Sequence, residues 1–491
     1  MPEPVLSPPP AERTIRRRTR RDPKPRFKPD ITAQLDAVAG CPALQVPDGH
    51  LARVVAEFVG GLDYSALEAR YSSLGRHGYR PRHVLAVLVY GSLIGLHHST
   101  KLGERLKTDA VLRLLSGGYA ISAGKLREFR RNNLALFQQA ITATLSHARA
   151  AGLLPLDELA VDSMRLRANA STKAVRTVVR SSKRIEELTN VDTSKLSSEE
   201  RAAHDAKLSK HREALAACEA AGRPNIVLTN ESAGLMKFPN GAGMPGHRIT
   251  AVAAGVQERI VVAVLVDADA NDYGKLPGAL ELARDELTKA GVPQDARIQV
   301  AADAGYCSTA DLAFAADNRD RVDVLVASNS AATDPDEPTK YFGREHFKIL
   351  DDGTAICPAG KPMLGPSAQP DGRTKWRGVD CPRCPLKEQC TPGRQRALYI
   401  NPELERVRAA MAERMVQPGA RERYNQRIAT IEPVFSNIQD TMGFRRASSR
   451  AAKTILAEIF LKVLAHNISR LAARRRLAVV YVSLDVFPST L

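Results

Sequence analysis

Two hydrophobic periods alternate along the chain. Residues 50–153 carry a helical period. "PRHVLAVLVYGSLIGL" predicts a helix opened by Pro81, and "STKLGERLKTDAVLRLLSG" a second, capped by Ser99 or Thr100 and stopped at Gly117. "ISAGKLREFRRNNLALFQQAITATLSHARA" predicts a third behind a Ser122 cap. From residue 156 the period shortens. "LDELAVDSMRLRANAS" reads as an apolar strand running into Asp162. Residues 172–222 are charged and Ala-rich and predict a helical hairpin inserted into a sheet domain. "HRITAVAAGVQERIVVAVLVDADAND" (247–272) predicts a β-hairpin around "AGVQER", and 273–291 a helix stopped by Gly291. "RIQVAAD" is a further strand, ending at Asp303. "STADLAFAADN" is a helix and "RVDVLVASN" (321–329) another strand. Residues 330–415 lose periodicity and become dense in Pro, Gly and Cys. Helices return over 420–443 and in "AAKTILAEIFLKVLAHNISRLAARRR".

This order predicts an α/β fold: a mixed sheet with an inserted helical hairpin and a Cys-containing insertion, preceded by an all-α N-terminal domain. The expected divisions are a disordered basic arm (1–30), a helical domain (50–153), a sheet domain (154–475) with insertions 172–222 and 330–415, and a tail (476–491).

Charge sharpens the picture. The 491 residues carry a formal net charge of +17, while 44% apolar residues suffice for a real core. Such a basic excess points first to nucleic acid and then to an anionic membrane surface; plain solubility is the other explanation. The longest apolar run, 84–96, is too short to span a bilayer, and the N-terminus has no apolar signal core, so a cytoplasmic protein with no membrane partner is expected. The third predicted helix presents Lys125, Arg127, Arg130 and Arg131 after short helices and a turn. That order suits a helix-turn-helix reader of DNA, and equally a solvated basic face.

The chemistry lies in the carboxylates. An aspartate at the end of a buried strand is costly unless something pairs with it. Asp162 and Asp303 both end such strands, and Glu432 lies on a helix able to pack on the same sheet. Singly, each reads more simply as a cap or turn residue. Parallel neighbouring strands would put both aspartates at one point, within reach of Glu432. Three carboxylates there repel one another unless a divalent cation intervenes, and hard oxygen ligands suit Mg²⁺ or Mn²⁺. Two such ions support phosphodiester chemistry.

Seven cysteines in a large cytoplasmic chain do not suggest a disulfide framework. Cys381 and Cys384 form a Cys-x₂-Cys pair, with Cys390 after it and Cys357 before it. This is a candidate structural zinc site, or else four reduced cysteines in a small β-rich insertion. Lys387, Arg394 and Arg396 would lie close by. Cys41, Cys218 and Cys307 read as packing residues. His97, His98, His466 and Asn467 read as structural.

Over most of residues 50–475 the sequence resembles bacterial insertion-sequence transposases of the DDE type, whose catalytic domain is ribonuclease H-like. "LAVDSMRLRANAS" is similar to the family's first-Asp strand and "VAADAGYCS" to its second-Asp motif. "NESAGLMK…GHRITAVA" and "VDADANDYGKL" resemble the segment leading to the second strand pair. "YNQRIATIEPVFSNIQDTMGFRRASSR" resembles the Glu helix, with "KVLAHNISRL" as its sequel, and "YSSLGRHGYRPRHVLAVLVYGSLIGLHHS" resembles the preceding helical domain. The resemblance implies Asp162, Asp303 and Glu432 as a catalytic, Mg²⁺-binding triad. It implies Tyr424 and Arg427 as contacts to DNA ends, with Gln439 where relatives commonly have Lys, and an Arg427–Glu432 separation one residue longer than the commonest form. Metal-dependent cleavage and strand transfer of an insertion element are then expected on double-stranded DNA, both element ends and target, by a homo-oligomer. The alternatives are a metal-dependent nuclease that does not join ends, and a domesticated DNA-binding protein without catalysis.

Overall fold

The computed structural model describes residues 25–474 apart from 39, 240, 328–340, 351, 370 and 371. Most of the predicted basic arm and all of the 476–491 tail lie outside the described residues.

The N-terminal part is helical: α1 (Pro42–Gln45), α2 (Leu51–Gly60), α3 (Ser65–Glu68), α4 (Pro81–Leu93), α5 (Ser99–Arg105), α6 (Ala110–Leu115), α7 (Ala123–Asn132) and α8 (Leu134–Ala150). Two helices expected to be continuous are each broken by a capping residue. Helix α5 ends at Arg105, and Asp109, with an extended backbone, accepts hydrogen bonds from the amides of Val111 and Leu112 and starts α6. Asn133 leaves the helical region (φ −125°, ψ 40°) and donates back to the Phe129 carbonyl, dividing α7 from α8. Both side chains compete well with helical hydrogen bonding, which apolar periodicity does not register.

The sheet strands are β1 (Leu159–Arg167), β4 (Gly234–Lys237), β5 (Gly243–Ala254), β6 (Ile260–Asp267), β7 (Ile298–Ala302) and β8 (Val322–Val326). Among the described residues the main sheet has these six strands, in the order β4-β5-β1-β7-β8, with β6 also paired to β5. β1 runs antiparallel to β5 and parallel to β7, and β7 parallel to β8. The expected mixed sheet is therefore present. Between β1 and β4 the chain leaves as β2 (Val175–Thr177), forms α9 (Val178–Thr189) and α10 (Ser198–Ala220), and returns as β3 (Asn225–Val227), antiparallel to β2. This is the expected helical hairpin. A capping box between Ser197 and Glu200 starts α10.

Helices α11 (Leu276–Lys289) and α12 (Thr309–Asp317) connect β6, β7 and β8. The Cys-rich segment forms two small sheets, β9 (Lys348–Ile349) with β10 (Ala355–Ile356), and β11 (Leu364–Ala368), β12 (Thr374–Arg377) and β13 (Ala397–Ile400), with the single-turn α13 (Lys387–Cys390) between β12 and β13. The chain then returns through α14 (Pro402–Met415), α15 (Ala420–Ser436) and α16 (Ala452–Ala473).

The helical part does not stand apart from the sheet. One apolar core joins Leu85, Leu112 and Phe137 to Ala160 and Val261 on the sheet and to Ile431 and Leu464 on α15 and α16. Helix α16 packs against α4, α8 and β6 together. Its polar residues serve that junction. Asn467 bonds the amide and carbonyl of Val261 and the Thr144 hydroxyl. Lys462 donates to the carbonyls of Ser92 and Met442. His466 lies between Asn437 and the Arg259 carbonyl, and burial pulls its pKa down to about 4, leaving it neutral. No described helix is long and apolar enough to cross a membrane.

Candidate active site

β1 and β7 pair in parallel register, Leu159 with Val300 through Val161 with Ala302. One step further puts Asp162 beside Asp303, where β7 ends and a 3₁₀ turn begins. Side chains alternate along a strand. Ala160, Asp162 and Met164 therefore face α15, while Val161 and Ser163 face the other side, where α11 packs.

From α15, Arg427 reaches both carboxylates. Its Nη1 lies 2.9 Å from Asp162 Oδ2 and its Nη2 lies 3.1 Å from Asp303 Oδ1. The guanidinium also sits over the Tyr424 ring, 5.8 Å from the centroid, and is almost wholly buried. The Asp162 side chain is 22% exposed and that of Asp303 44%. Desolvation raises the Asp162 carboxyl to about 6, and the negative charges of Asp303 and Asp272 push in the same direction. The Ser163 amide and Arg427 oppose them without winning. Tyr424 is half-buried, which raises its hydroxyl.

A second acidic group lies just across the sheet from this pair. Arg248 on β5 is 1% exposed and ion-paired to Asp272, whose Oδ1 also accepts a 2.5 Å hydrogen bond from the Ser163 hydroxyl. The Arg248 guanidinium donates to Ser163 Oγ as well (2.7 Å), and to the carbonyls of Asp269 and Ala270. Residues 269–272 are thereby tied to the residue next to Asp162. A Cβ on Gly305 would come 3.1 Å from an Asp272 carboxylate oxygen, so the turn after Asp303 packs closely on this network. Sequence reasoning passed over Asp272, Arg248 and Ser163. The only signal was the acidic run "VDADAND", and nothing in it reveals a partner on β5.

Glu432 lies on α15, five residues after Arg427. On a regular helix that is a rotation of about 140°, and Glu432 is exposed while Thr430, Ile431 and Val434 are buried. The structure thus joins Asp162 to Asp303 through Arg427. Glu432 shares their helix neighbour without a hydrogen bond or ion pair of its own among the described residues. Pro433 follows within α15, and a π-helical turn over Asn437–Thr441 widens the next turn. In that turn Gln439 donates to the Arg165 carbonyl (3.4 Å). Among the described residues no group of three or more His, Cys, Asp or Glu side chains is placed to hold a metal ion. The donor chemistry nonetheless fits a hard cation. Two carboxylates lie side by side on one guanidinium, and one of them is held above its ordinary pKa by burial and by like charge, a state that a divalent cation relieves.

The basic helix divides by face. Lys125, Arg127 and Arg131 are exposed on α7. Arg130, expected on the same DNA-facing surface, is instead buried; it donates to the His97 carbonyl (2.8 Å) and pairs with Glu458 of α16 at 3.5 Å. Its place beside Leu126 and Phe129 on the packed face makes it a tie between α7 and α16. Beside the first turn of α7 a groove of about 800 Å³ is lined by Lys28, Arg70, Tyr71, Arg76, His77 and Lys125. The cysteines divide as well. Cys357, Cys381, Cys384 and Cys390 line one small cavity, while Cys218 and Cys307 are buried elsewhere and Cys41 lies near the Thr32 carbonyl.

Residues 356–472 match the family model of the transposase DDE domain, a stretch that holds the Cys module, α15 with Glu432 and most of α16; Asp162 and Asp303 lie upstream of it. Residues 43–132 match the family model of a transposase domain, DUF772, which spans α2 through α7. No curated protein is significantly similar to the chain. With one match in the helical region and the other on the helices that pack against the sheet, the chain carries a transposase DDE domain and a DUF772 transposase domain.

Proposed function

We propose that the protein cleaves the ends of a DNA element and joins the freed 3′-hydroxyl to target DNA, with Asp162, Asp303 and Glu432 as the catalytic carboxylates of a ribonuclease H-like domain. The observation that carries this reading is the parallel pairing of β1 and β7. It sets Asp162 and Asp303 side by side under α15, the helix that bears Glu432. The strand order β6-β5-β1-β7-β8, three antiparallel strands followed by two parallel ones, supports the ribonuclease H-like assignment.

Asp162 and Asp303 would hold Mg²⁺ or Mn²⁺, with Glu432 completing the set by a side-chain rearrangement. When bound, such ions stabilise the attacking and leaving oxygens of a phosphodiester. The chain's own residues prepare the site. Arg427 fixes both carboxylates from one guanidinium, and Asp272, Ser163 and Arg248 brace the strand end from the other face. Tyr424, stacked on Arg427 beside Asp303, offers a half-buried hydroxyl and ring to a DNA end. Lys125, Arg127 and Arg131, with the neighbouring groove, provide the positive surface for duplex phosphates. DNA-bound protein would act as a homo-oligomer, since two ends are joined together.

The test is strand transfer with a pre-cut element end and a plasmid target in Mg²⁺. The wild type should join the end, and Asp303→Asn should bind it but not join it. A wild type that cuts without ever joining would reduce the reading to a nuclease, and full joining by Asp303→Asn would remove the carboxylate assignment.

A further inference from the structure

The cysteine cavity belongs to none of this machinery. Its four thiols come from three separate places in the chain. Cys357 begins a tight turn, in which the Gly360 amide donates to the Cys357 carbonyl (2.8 Å) and the Cys357 amide to the Lys361 carbonyl (2.9 Å); Gly360 takes a positive φ of 75° there. Cys381 and Cys384 lie on a 3₁₀ turn entered through Asp380, itself at a positive φ of 54°. The Cys384 amide donates to the Cys381 carbonyl (3.2 Å) and the Lys387 amide to the Cys384 carbonyl (3.1 Å). Cys390 ends α13. Two tight turns, each opened by a Cys-Pro step, bring the four cysteines to the wall of one cavity.

That cavity measures about 20 Å³, room for a single ion or water. The four cysteines, Lys387 and Arg396 are on its wall. The backbone is also shaped around the sulfurs, because a Cβ on Gly378 would come within 2.5 Å of Cys381 Sγ.

The energetics call for a staple. The buried apolar core of this module is Phe347, Ala355, Met363, Trp376, Leu398 and Ile400, too little to hold five short strands and a single-turn helix unaided. Cys357 and Cys390 pack directly against that core. The described cysteines form no disulfide. A tetrathiolate zinc site supplies the missing cross-links, since its binding free energy becomes folding free energy.

We propose that Cys357, Cys381, Cys384 and Cys390 hold one structural zinc ion that closes the module between β8 and α14. The thiols line the cavity without forming a closed set, so binding turns them inward to the zinc–sulfur distance of about 2.3 Å. The site is independent of the Asp162–Asp303 chemistry, and its test uses no activity readout.

Full-length protein purified without chelator should contain close to one zinc per chain. Replacement by Co²⁺ should give the intense visible and thiolate charge-transfer absorption of a tetrahedral sulfur site. Cys384→Ser should cut bound zinc at least fivefold and open residues 341–400 to protease. Cys307→Ser should change neither. Cys390→His should keep the metal and shift the cobalt bands toward a mixed nitrogen–sulfur set. Should Cys384→Ser fail to fold, zinc content and the cobalt spectrum of the wild type decide. Metal-free wild type that takes up no cobalt with thiolate bands overturns the proposal, as does full zinc retention by Cys384→Ser.

Discussion

Replacing Asp162 by Asn separates stability from chemistry at the proposed active site. Burial and the neighbouring carboxylates of Asp303 and Asp272 raise Asp162 from the ordinary 3.8 to about 6. The folded state therefore holds the Asp162 proton more tightly than the unfolded chain does. Stability is fullest below about pH 4, falls as pH rises through the interval to about 6, and stays lower above it. Two pKa units correspond to about 3 kcal/mol of penalty borne by the ionised carboxylate near neutral pH. Asparagine is close in shape to the protonated form, still meets Arg427, and escapes that penalty. Asp162→Asn should consequently be more stable than the wild type at about pH 7.5, by up to about 3 kcal/mol or on the order of 3 °C in a chain of this size. At about pH 4.5 the difference should shrink to about 1 kcal/mol. Mg²⁺ or Mn²⁺ should raise the wild-type melting temperature near neutral pH and leave the variant unmoved, because the cation offsets the same repulsion. End cleavage by the variant should be lost. Thermal melts at both pH values, with and without metal, together with a cleavage assay, make the comparison. A variant equally destabilised at both pH values would refute the reasoning, since Asp162 would then act through hydrogen bonding rather than charge.

The remaining expectations concern its neighbours. Arg427→Met removes the cation that holds Asp162 and Asp303, so Asp162 should titrate higher still, and the acidic limb of the cleavage pH profile should move up by about one unit. Asp272→Asn leaves the buried Arg248 charge without its carboxylate and should cost about 3–5 kcal/mol in urea denaturation; an unchanged midpoint would reject its bracing role. On α7, Arg127→Ala and Arg131→Ala should each lower the salt slope of DNA binding by about one without changing stability. Arg130→Ala should do the reverse, destabilising the fold through the unpaired Glu458 and leaving the salt slope alone.

How much of this was legible in the sequence depended on which forces act locally. Apolar periodicity marked the strand that ends in Asp162 and the strand that ends in Asp303, because burial of a strand face writes its own repeat into the chain, and charged, Ala-rich composition marked the inserted hairpin. Cys-x₂-Cys spacing marked the cysteine module for the same reason: a tight turn is local. Tertiary packing decided the rest. The two helix breaks at Asp109 and Asn133 turn on a few side-chain hydrogen bonds that no hydrophobic period records. Arg127 and Arg130 look alike as letters, yet a three-residue step on α7 puts one in solvent and the other against Glu458, on a helix more than three hundred residues away. Asp272 was one acid among several until β5 delivered Arg248 to it. Nor could spacing reveal that Arg427, rather than Glu432, is the residue bonded to Asp162 and Asp303, because that depends on which face of α15 packs against β1 and β7. Sequence set the periods and placed the acids at strand ends. Only the folded chain determined which opposite charges meet, because desolvation makes a buried carboxylate depend on partners that the linear order keeps far apart.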